Sequence, residues 1–275
     1  MTELDHLLQR AQSAALNAGA AIRKCPAPSP TPASLGPIAQ TPADLRAHEA
    51  LVGALSSIPP HLPIASEEGD RHVVCDRYWL IDPLDGTKEY LAGNGEYTVN
   101  IALIKEGYPV LGVVYVPESD LLYWAAEGLG VWMRHGQNTT QLSAPTPATR
   151  LRVLTSRSHS SAAMSQALDR LRTAGAVLKG LGSSWKFARV AEGAADLYVR
   201  LSPTYAWDTA AGQCLIEQRG GQVGGADDRL RYPCSDALAP GFLAAGTPEI
   251  WHHWTEMLEI KTVLHPPGGS DDRTR

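Results

Sequence analysis

Two aspartates, Asp82 and Asp85, stand three residues apart in IDPLDGTKEY (81–90), with Pro83 between them and Gly86-Thr87 behind. Carboxylates held that close repel each other, so the pattern reads as a place for something positive. Hard divalent cations such as Mg²⁺ take oxygen ligands near octahedral geometry, a few carboxylates being completed by water and substrate phosphate. A rigid D-P-L-D turn lets Asp82, the carbonyl of Leu84 and Asp85 face one point. Gly86 permits close backbone approach and Thr87 adds a hydroxyl. The amides that follow would receive phosphate oxygens if a helix began there. Further acids stand at the predicted ends of regular elements: Asp44, the Glu67-Glu68 pair and Asp208. Each also has a plain structural reading. Asp208 serves as a helix N-cap, Asp44 as a first-turn acid favoured by the helix dipole, Glu67-Glu68 as a solvated loop, and Asp82 and Asp85 as a turn closed by Asx bonds. Jointly they point to a metal site, and spacing alone goes no further.

The elements that must position these groups are read from periodicity. Residues 3–24 place Leu4, Leu7, Leu8, Ala11, Ala15 and Ala18 at helical spacing. Segment 25–40, rich in Pro, Ser and Ala, reads as a mobile loop. A second helix starts at Thr41 as N-cap, with Pro42 at N1 and Asp44 at N3, a capping-box-like beginning. LPIAS, RYWLI, YTVNIALIK, PVLGVVYVP, LLYWAAE and GVWMR follow as strands of a mostly antiparallel sheet, with a hairpin after KEG. From about residue 150 strand and helix alternate. RLRVLTS, AVLKGL and ADLYVRL read as strands; SSAAMSQALDRLRTAG, SSWKFARVAEG and DTAAGQCLIEQRGG read as helices. TPEIWHHWTEMLEI reads as a late helix. The division predicted is an N-terminal α+β lobe over 1–149 with the main metal site, an α/β lobe over 150–260, and a disordered tail at 261–275.

Composition narrows the function. A chain of 275 residues with 44% hydrophobic and 19% charged content fits a globular enzyme with a large core. A formal net charge of −5 argues against nucleic acid or an anionic membrane as main partner, since both require a basic face. The four cysteines form no CxxC pair, no apolar run is long enough to span a bilayer, and the N-terminus lacks a secretory pattern, so cytoplasm is expected. There is no P-loop, dinucleotide fingerprint or nucleophile elbow. RGGQVGG (219–225) reads as a helix stop and tight turn, and His252-His253 as helix-face residues.

On these residues the chain resembles a known family. SEE (66–68), WLIDPLDGTKEY (79–90) and WDTAAG (207–212) are similar to the three signatures of the inositol-monophosphatase-like, metal-dependent phosphatase superfamily. Within it NGEYTVNIALI (94–104), LGVVYVP (111–117), SRSH (156–159) and GSSWKF (182–187) resemble the CysQ-type 3′(2′),5′-bisphosphate nucleotidases. Those enzymes remove a phosphate from adenosine 3′,5′-bisphosphate, the by-product of sulfate transfer. The likeness runs in order from about residue 41 to 215.

The resemblance implies an α/β (α+β) fold, the layered αβαβα sandwich of sugar phosphatases, and two or three Mg²⁺ ions. It implies that Glu67, Asp82, the Leu84 carbonyl, Asp85 and Asp208 are metal ligands, and that Asp44 and Thr87 orient and deprotonate the attacking water. The Gly86 and Thr87 amides would hold the scissile phosphate. Ser156, His159, Gly182, Ser183, Lys186 and Arg200 would lie near the nucleotide, with Lys186, and Arg200 or His159, meeting its other phosphate. Against these stand a solvated Lys186, Ser183 as a helix N-cap and His159 as a cap of its own helix. The chemistry needs metal in any case, because a phosphate dianion repels hydroxide until its oxygens are neutralised.

The chain departs from the family at GPIAQTPAD (36–44), where Thr41 and Asp44 survive but a Lys-Asp and a Ser-Pro do not. Trp185 stands where a leucine is usual and is expected to pack at the lobe interface. The partner expected is a small phosphorylated molecule, a nucleotide, and a homodimer is left open. The rival readings are inositol monophosphate or fructose 1,6-bisphosphate hydrolysis on the same scaffold, and a non-catalytic nucleotide sensor.

Overall fold

The computed structural model describes residues 2–25, 40–143, 145, 148–157, 161–225, 229–233, 235 and 238–260. The loop reading over 26–39, the role expected of His159 and the tail reading over 261–275 lie outside the described residues. Helix α1 (Glu3–Arg23) starts with a capping box in which the Thr2 hydroxyl accepts from Asp5 N and Asp5 accepts from Thr2 N. Helix α2 (Pro42–Ser56) starts as expected: Thr41 caps the amides of Ala43 and Asp44, and Asp44 Oδ2 accepts from Thr41 N at 2.7 Å.

The first sheet holds β1 (Ile64–Ser66), β2 (Arg77–Asp85), β3 (Thr98–Lys105), β4 (Tyr108–Val116), β5 (Leu121–Ala126), β6 (Gly130–His135) and β7 (Asn138–Gln141) in sequence order. The short helix α3 (Thr87–Leu91) leaves the end of β2. Only β1 and β2 pair in parallel. Glu106 and Gly107, at φ 54° and 83°, make the tight β3–β4 hairpin, whose turn needs two left-handed residues. Sequence reading missed β7, because NTTQ is fully exposed and shows no apolar alternation.

The second half contributes β8 (Arg152–Thr155), α4 (Ala162–Thr173), β9 (Val177–Gly180), α5 (Trp185–Ala191), β10 (Leu197–Arg200), β11 (Thr204–Tyr205), a 3₁₀ turn at Ala206–Asp208, α6 (Ala210–Gln218), β12 (Gln222–Gly224), β13 (Leu238–Ala239), β14 (Phe242–Ala245) and α7 (Pro248–Met257). Five strands form a sheet in the order β12-β14-β10-β8-β9, and β11 pairs with β13 in a separate ribbon. The tight turn expected at RGGQVGG is corrected: after Gly220 the segment Gln222–Gly224 is strand β12. It pairs antiparallel with β14 because buried Val223 needs a core face.

Alternation along the strands sorts the core into layers. Trp79, Ile81, Val99, Ile101, Val113 and Tyr115 face α1 and α2. Tyr78, Leu80, Ala102, Ile104 and Val114 face the other way, onto α5 and α6 and the near side of the five-stranded sheet. The far side of that sheet, Val153, Leu197, Val199 and Leu243, meets α4 and α7. The result is the α-β-α-β-α layering expected. Burial on both faces explains why β2 to β4 read as nearly continuous apolar runs. Gly112 lets α6 close on β4, since a Cβ there would lie 2.5 Å from Ala211 O. Trp185 is partly buried against the middle cluster.

Candidate active site

In a regular strand, residues three apart point to opposite faces. Asp82 and Asp85 are both in β2, which runs further than the sequence suggested. They escape opposition because Asp82 pairs with Asn100 and Asp85 with Thr98, so one extra residue bulges out of β2. The bulge contains Pro83, which has no N–H to give to a ladder. It restores parity. Carboxylate oxygens of Asp82, Asp85 and Asp208 lie within 4.8 Å of one another. Leu84 N donates to Asp82 Oδ1 at 3.0 Å, the Asx bond foreseen as an alternative, here coexisting with the cluster. Gly86, at φ 90°, turns the chain into α3 and offers no side-chain cap, and Gly86 and Thr87 both line the cavity.

Asp208 reaches the cluster from the 3₁₀ turn before α6, whose N-cap is Thr209 rather than Asp208. Thr204 hydrogen-bonds Asp208 Oδ2. Asp85 Oδ2 accepts from Ser184 N at 2.5 Å and from the Ser184 hydroxyl, and Asn100 Nδ2 reaches it at 3.4 Å. Ser184 Oγ also approaches Asp208 O at 2.6 Å and accepts from Asn100 Nδ2 at 2.9 Å. Buried Ser184 and Asn100 thus fix the two halves of the cluster, and sequence reading named neither. The available signal was Asn100, a polar residue inside the apolar run of β3. Ser184→Ala is expected to weaken divalent-metal binding about 10- to 100-fold, as loss of a ligand-orienting hydrogen bond typically does. Calorimetric metal titration, beside a far-UV spectrum that shows the variant folded, checks this.

Glu67 sits at the end of β1, partly buried rather than solvated, and lines the same cavity. Burial raises its pKa to about 8, helped by the charges of Asp208, Glu68 and Asp85. Burial also pushes Asp82 well up, with Glu67, Asp85 and Asp208 adding, and lifts Asp208 to about 7. Among the described residues none of the four carboxyls takes part in an ion pair. Asp82 Oδ2 is buried and has no donor. An all-oxygen, uncompensated set of this kind fits a hard divalent cation.

The sign of the linkage follows. Folding raises Glu67 from its ordinary 4.5 to about 8, so the metal-free native state binds protons that the unfolded chain releases. That stabilisation is full below about pH 4.5 and is lost as pH rises through 8. Melting in chelator is expected to fall by several degrees between pH 5.5 and 8.5, and added Mg²⁺ should reverse the fall. An unchanged melting curve would count against the cluster.

Asp44 and Thr87, far apart in sequence, meet beside the cluster. Thr87 Oγ1 lies 3.4 Å from Asp44 Oδ1 and 3.4 Å from Leu84 O. Asp44 is buried, and its Oδ2 is occupied by Thr41 N and Oγ1. It is therefore both the capping acid and a partner of Thr87.

The cavity, about 350 Å³, is lined by Asp44, Glu67, Asp82, Asp85, Thr87 and Asp208 and by Gly86, Ser156, Gly182, Ser183, Lys186 and Arg200. Lys186 is not a solvated lysine: it is buried, donates to Leu181 O and Ser183 O, and holds its ammonium 5.1 Å from the Tyr198 ring centroid. The N-cap position of α5 falls to Ser184, which makes no side-chain cap bond, while Ser183, at a left-handed φ of 48°, sits one residue earlier and accepts from Trp185 N at 3.3 Å. Ser156 Oγ is 3.5 Å from the Tyr198 hydroxyl. Arg200 spends its guanidinium on the carbonyls of Ser202 and Pro203.

Fold and site together define a class: a layered α/β protein with a carboxylate cluster in a cavity that is also lined by the buried lysine Lys186. The pattern of the inositol monophosphatase family matches residues 4–258, and the chain belongs to that family. It is 42% identical over 208 residues to the 3′(2′),5′-bisphosphate nucleotidase CysQ of Salmonella typhimurium, covering 74% of this chain and 83% of that one. The Escherichia coli K12 protein of the same name matches to the same extent. Among solved structures, CysQ from Bacteroides thetaiotaomicron superposes with a TM-score of 0.79 at 34% identity, over 89% of this chain and 98% of its own. An inositol monophosphatase from Zymomonas mobilis shares the fold, with a TM-score of 0.76 at 22% identity over 94% of this chain and all of its own. Among the described residues no helix is long and apolar enough to cross a membrane.

Proposed function

We propose that this chain is a Mg²⁺-dependent phosphomonoesterase that hydrolyses adenosine 3′,5′-bisphosphate to AMP and phosphate, and also accepts the 5′-phosphosulfate relative. The observation that carries the reading is the placement of buried Lys186 in the cavity that contains the Asp82, Asp85 and Asp208 cluster. A second cation beside a metal site suits a substrate with a second phosphate. The likeness to relatives named 3′(2′),5′-bisphosphate nucleotidase supports the same substrate.

In this reading Glu67, Asp82, the Leu84 carbonyl, Asp85 and Asp208 hold Mg²⁺. Bound there, it supplies charge neutralisation at the phosphate and acidification of water. The chain's own residues do the rest. Thr87 orients the attacking water: its Oγ1 takes a proton from that water as its own hydroxyl proton passes to Asp44 Oδ1, which the capping bonds on Oδ2 hold in place. The Gly86–Thr87 amides receive the scissile phosphate at the uncapped start of α3. Lys186 has two of its three N–H groups on carbonyls, leaving one for the other phosphate. Residues 1–149 then form the lobe with most of the metal ligands, and 150–260 the lobe that reads the substrate.

Phosphate release from adenosine 3′,5′-bisphosphate, inositol 1-phosphate and fructose 1,6-bisphosphate tests the reading. The adenosine substrate should be preferred, and Lys186→Ala should cost it about 10- to 100-fold in kcat/KM while sparing inositol 1-phosphate. Preference for either sugar phosphate would overturn the substrate assignment.

A further inference from the structure

One aromatic group at the cavity serves neither the carboxylate cluster nor the Lys186 wall. Phe187, Tyr198 and Phe242 also line the cavity, but they are 2% exposed or less and pack on one another. They have no face to offer. Tyr205 lines the same cavity and is 42% exposed. Its ring lies nearly parallel on Trp207, with centroids 4.6 Å apart and planes at 13°, and Trp207 is buried. One face of Tyr205 is therefore covered, and its exposure belongs to the other face and the hydroxyl end.

The backing is held in place from several directions. The Arg71 guanidinium lies 5.6 Å from the Trp207 ring centroid, while Arg71 Nε donates to Glu67 O at 2.6 Å. Arg200 clamps the carbonyls of Ser202 and Pro203, just ahead of Tyr205. The Tyr205 backbone pairs with Leu238 in the β11–β13 ribbon. Residues opposite each other in an antiparallel pair share a face, so Leu238, itself 58% exposed, extends the apolar surface. Tyr205 is also three residues from Asp208, so the platform and a ligand of the cluster belong to one short, well-tied segment.

An exposed aromatic face on a rigid support suits a flat π system. Base–aromatic stacking of this kind is worth roughly 5- to 150-fold in binding per base, whichever base it is. We propose that Tyr205, backed by Trp207 and flanked by Leu238, is the seat of the substrate's nucleobase, so that base recognition proceeds by stacking. The inference rests on the bisphosphate-nucleotide reading and deepens it by naming the side chain that takes the base.

The test compares adenosine 3′,5′-bisphosphate with the abasic 1-deoxyribose 3,5-bisphosphate, using the full chain, Tyr205→Phe and Tyr205→Ala. The wild type should show a KM about 10- to 100-fold higher for the abasic compound. Tyr205→Ala should raise KM for the adenosine substrate by a similar factor, with kcat and the abasic KM unchanged, and Tyr205→Phe should match the wild type. An equal penalty on both substrates, or none on either, would overturn the proposal. Wild-type turnover of inositol 1-phosphate but of neither bisphosphate would instead reject the nucleotide reading, and the proposal with it.

Discussion

Replacing Asp85 by Asn is expected to lower phosphate release at least about a thousandfold while the protein stays folded. Asp85 is the carboxylate on which the two halves of the site converge: Ser184 from the second half holds its Oδ2, and Asn100 reaches the same atom from β3. An asparagine oxygen can still accept the Ser184 bonds, so the local scaffold survives. What disappears is one negative charge from a cluster that makes no ion pair among the described residues. Loss of roughly 4 kcal/mol of transition-state stabilisation, at 1.36 kcal/mol per decade, gives the thousandfold figure. Metal-free stability should not fall, because Glu67, Asp82 and Asp208 are all raised in part by the Asp85 charge. Steady-state phosphate release, with calorimetric metal titration and a melting curve in chelator, checks all three parts. Wild-type activity in the variant would remove Asp85 from the site.

The second large effect falls on Thr87. Thr87→Val keeps the shape of the side chain and removes the hydroxyl that bridges Asp44 and the cavity. It should reduce kcat by about 10²- to 10⁴-fold, the usual worth of a positioned proton-transfer group. KM and metal affinity should change little, and Thr87→Ser should recover most of the rate. Thr87 is a cleaner probe than Asp44, since changing Asp44 also breaks the Thr41 capping box of α2. A fall in metal affinity equal to the fall in rate would assign Thr87 to the metal site instead of the water.

Much of this was legible in the residues. The α2 start was readable because capping is a local rule that Thr41 and Asp44 satisfy, whereas α1 was legible from its apolar spacing and its Thr2–Asp5 capping box came only with the structure. The strands of the first sheet were readable because burial on both faces leaves long apolar runs, whereas exposed β7 and the short β11 and β13 carry no such pattern. That Asp82 and Asp85 share a site was legible from their types and from Pro83, but the bulge that turns them to one side depends on pairing with β3. Ser184 and Tyr205 were not readable at all. Each gains its meaning from a partner distant in the chain or in a turn whose shape only the folded structure sets: Asp85 for the one, the Trp207 ring and the cavity edge for the other. Lys186 was readable as a cation, but its burial was not.

The central claim is tested most directly by phosphate release from adenosine 3′,5′-bisphosphate across a Mg²⁺ titration, read beside the calorimetric binding isotherm. Turnover should rise along that isotherm, fall to background when the metal is chelated, and return when Mg²⁺ is restored. Turnover indifferent to chelation would contradict the metal site, and tight nucleotide binding with no phosphate released at any Mg²⁺ concentration would make the chain a sensor and not an enzyme.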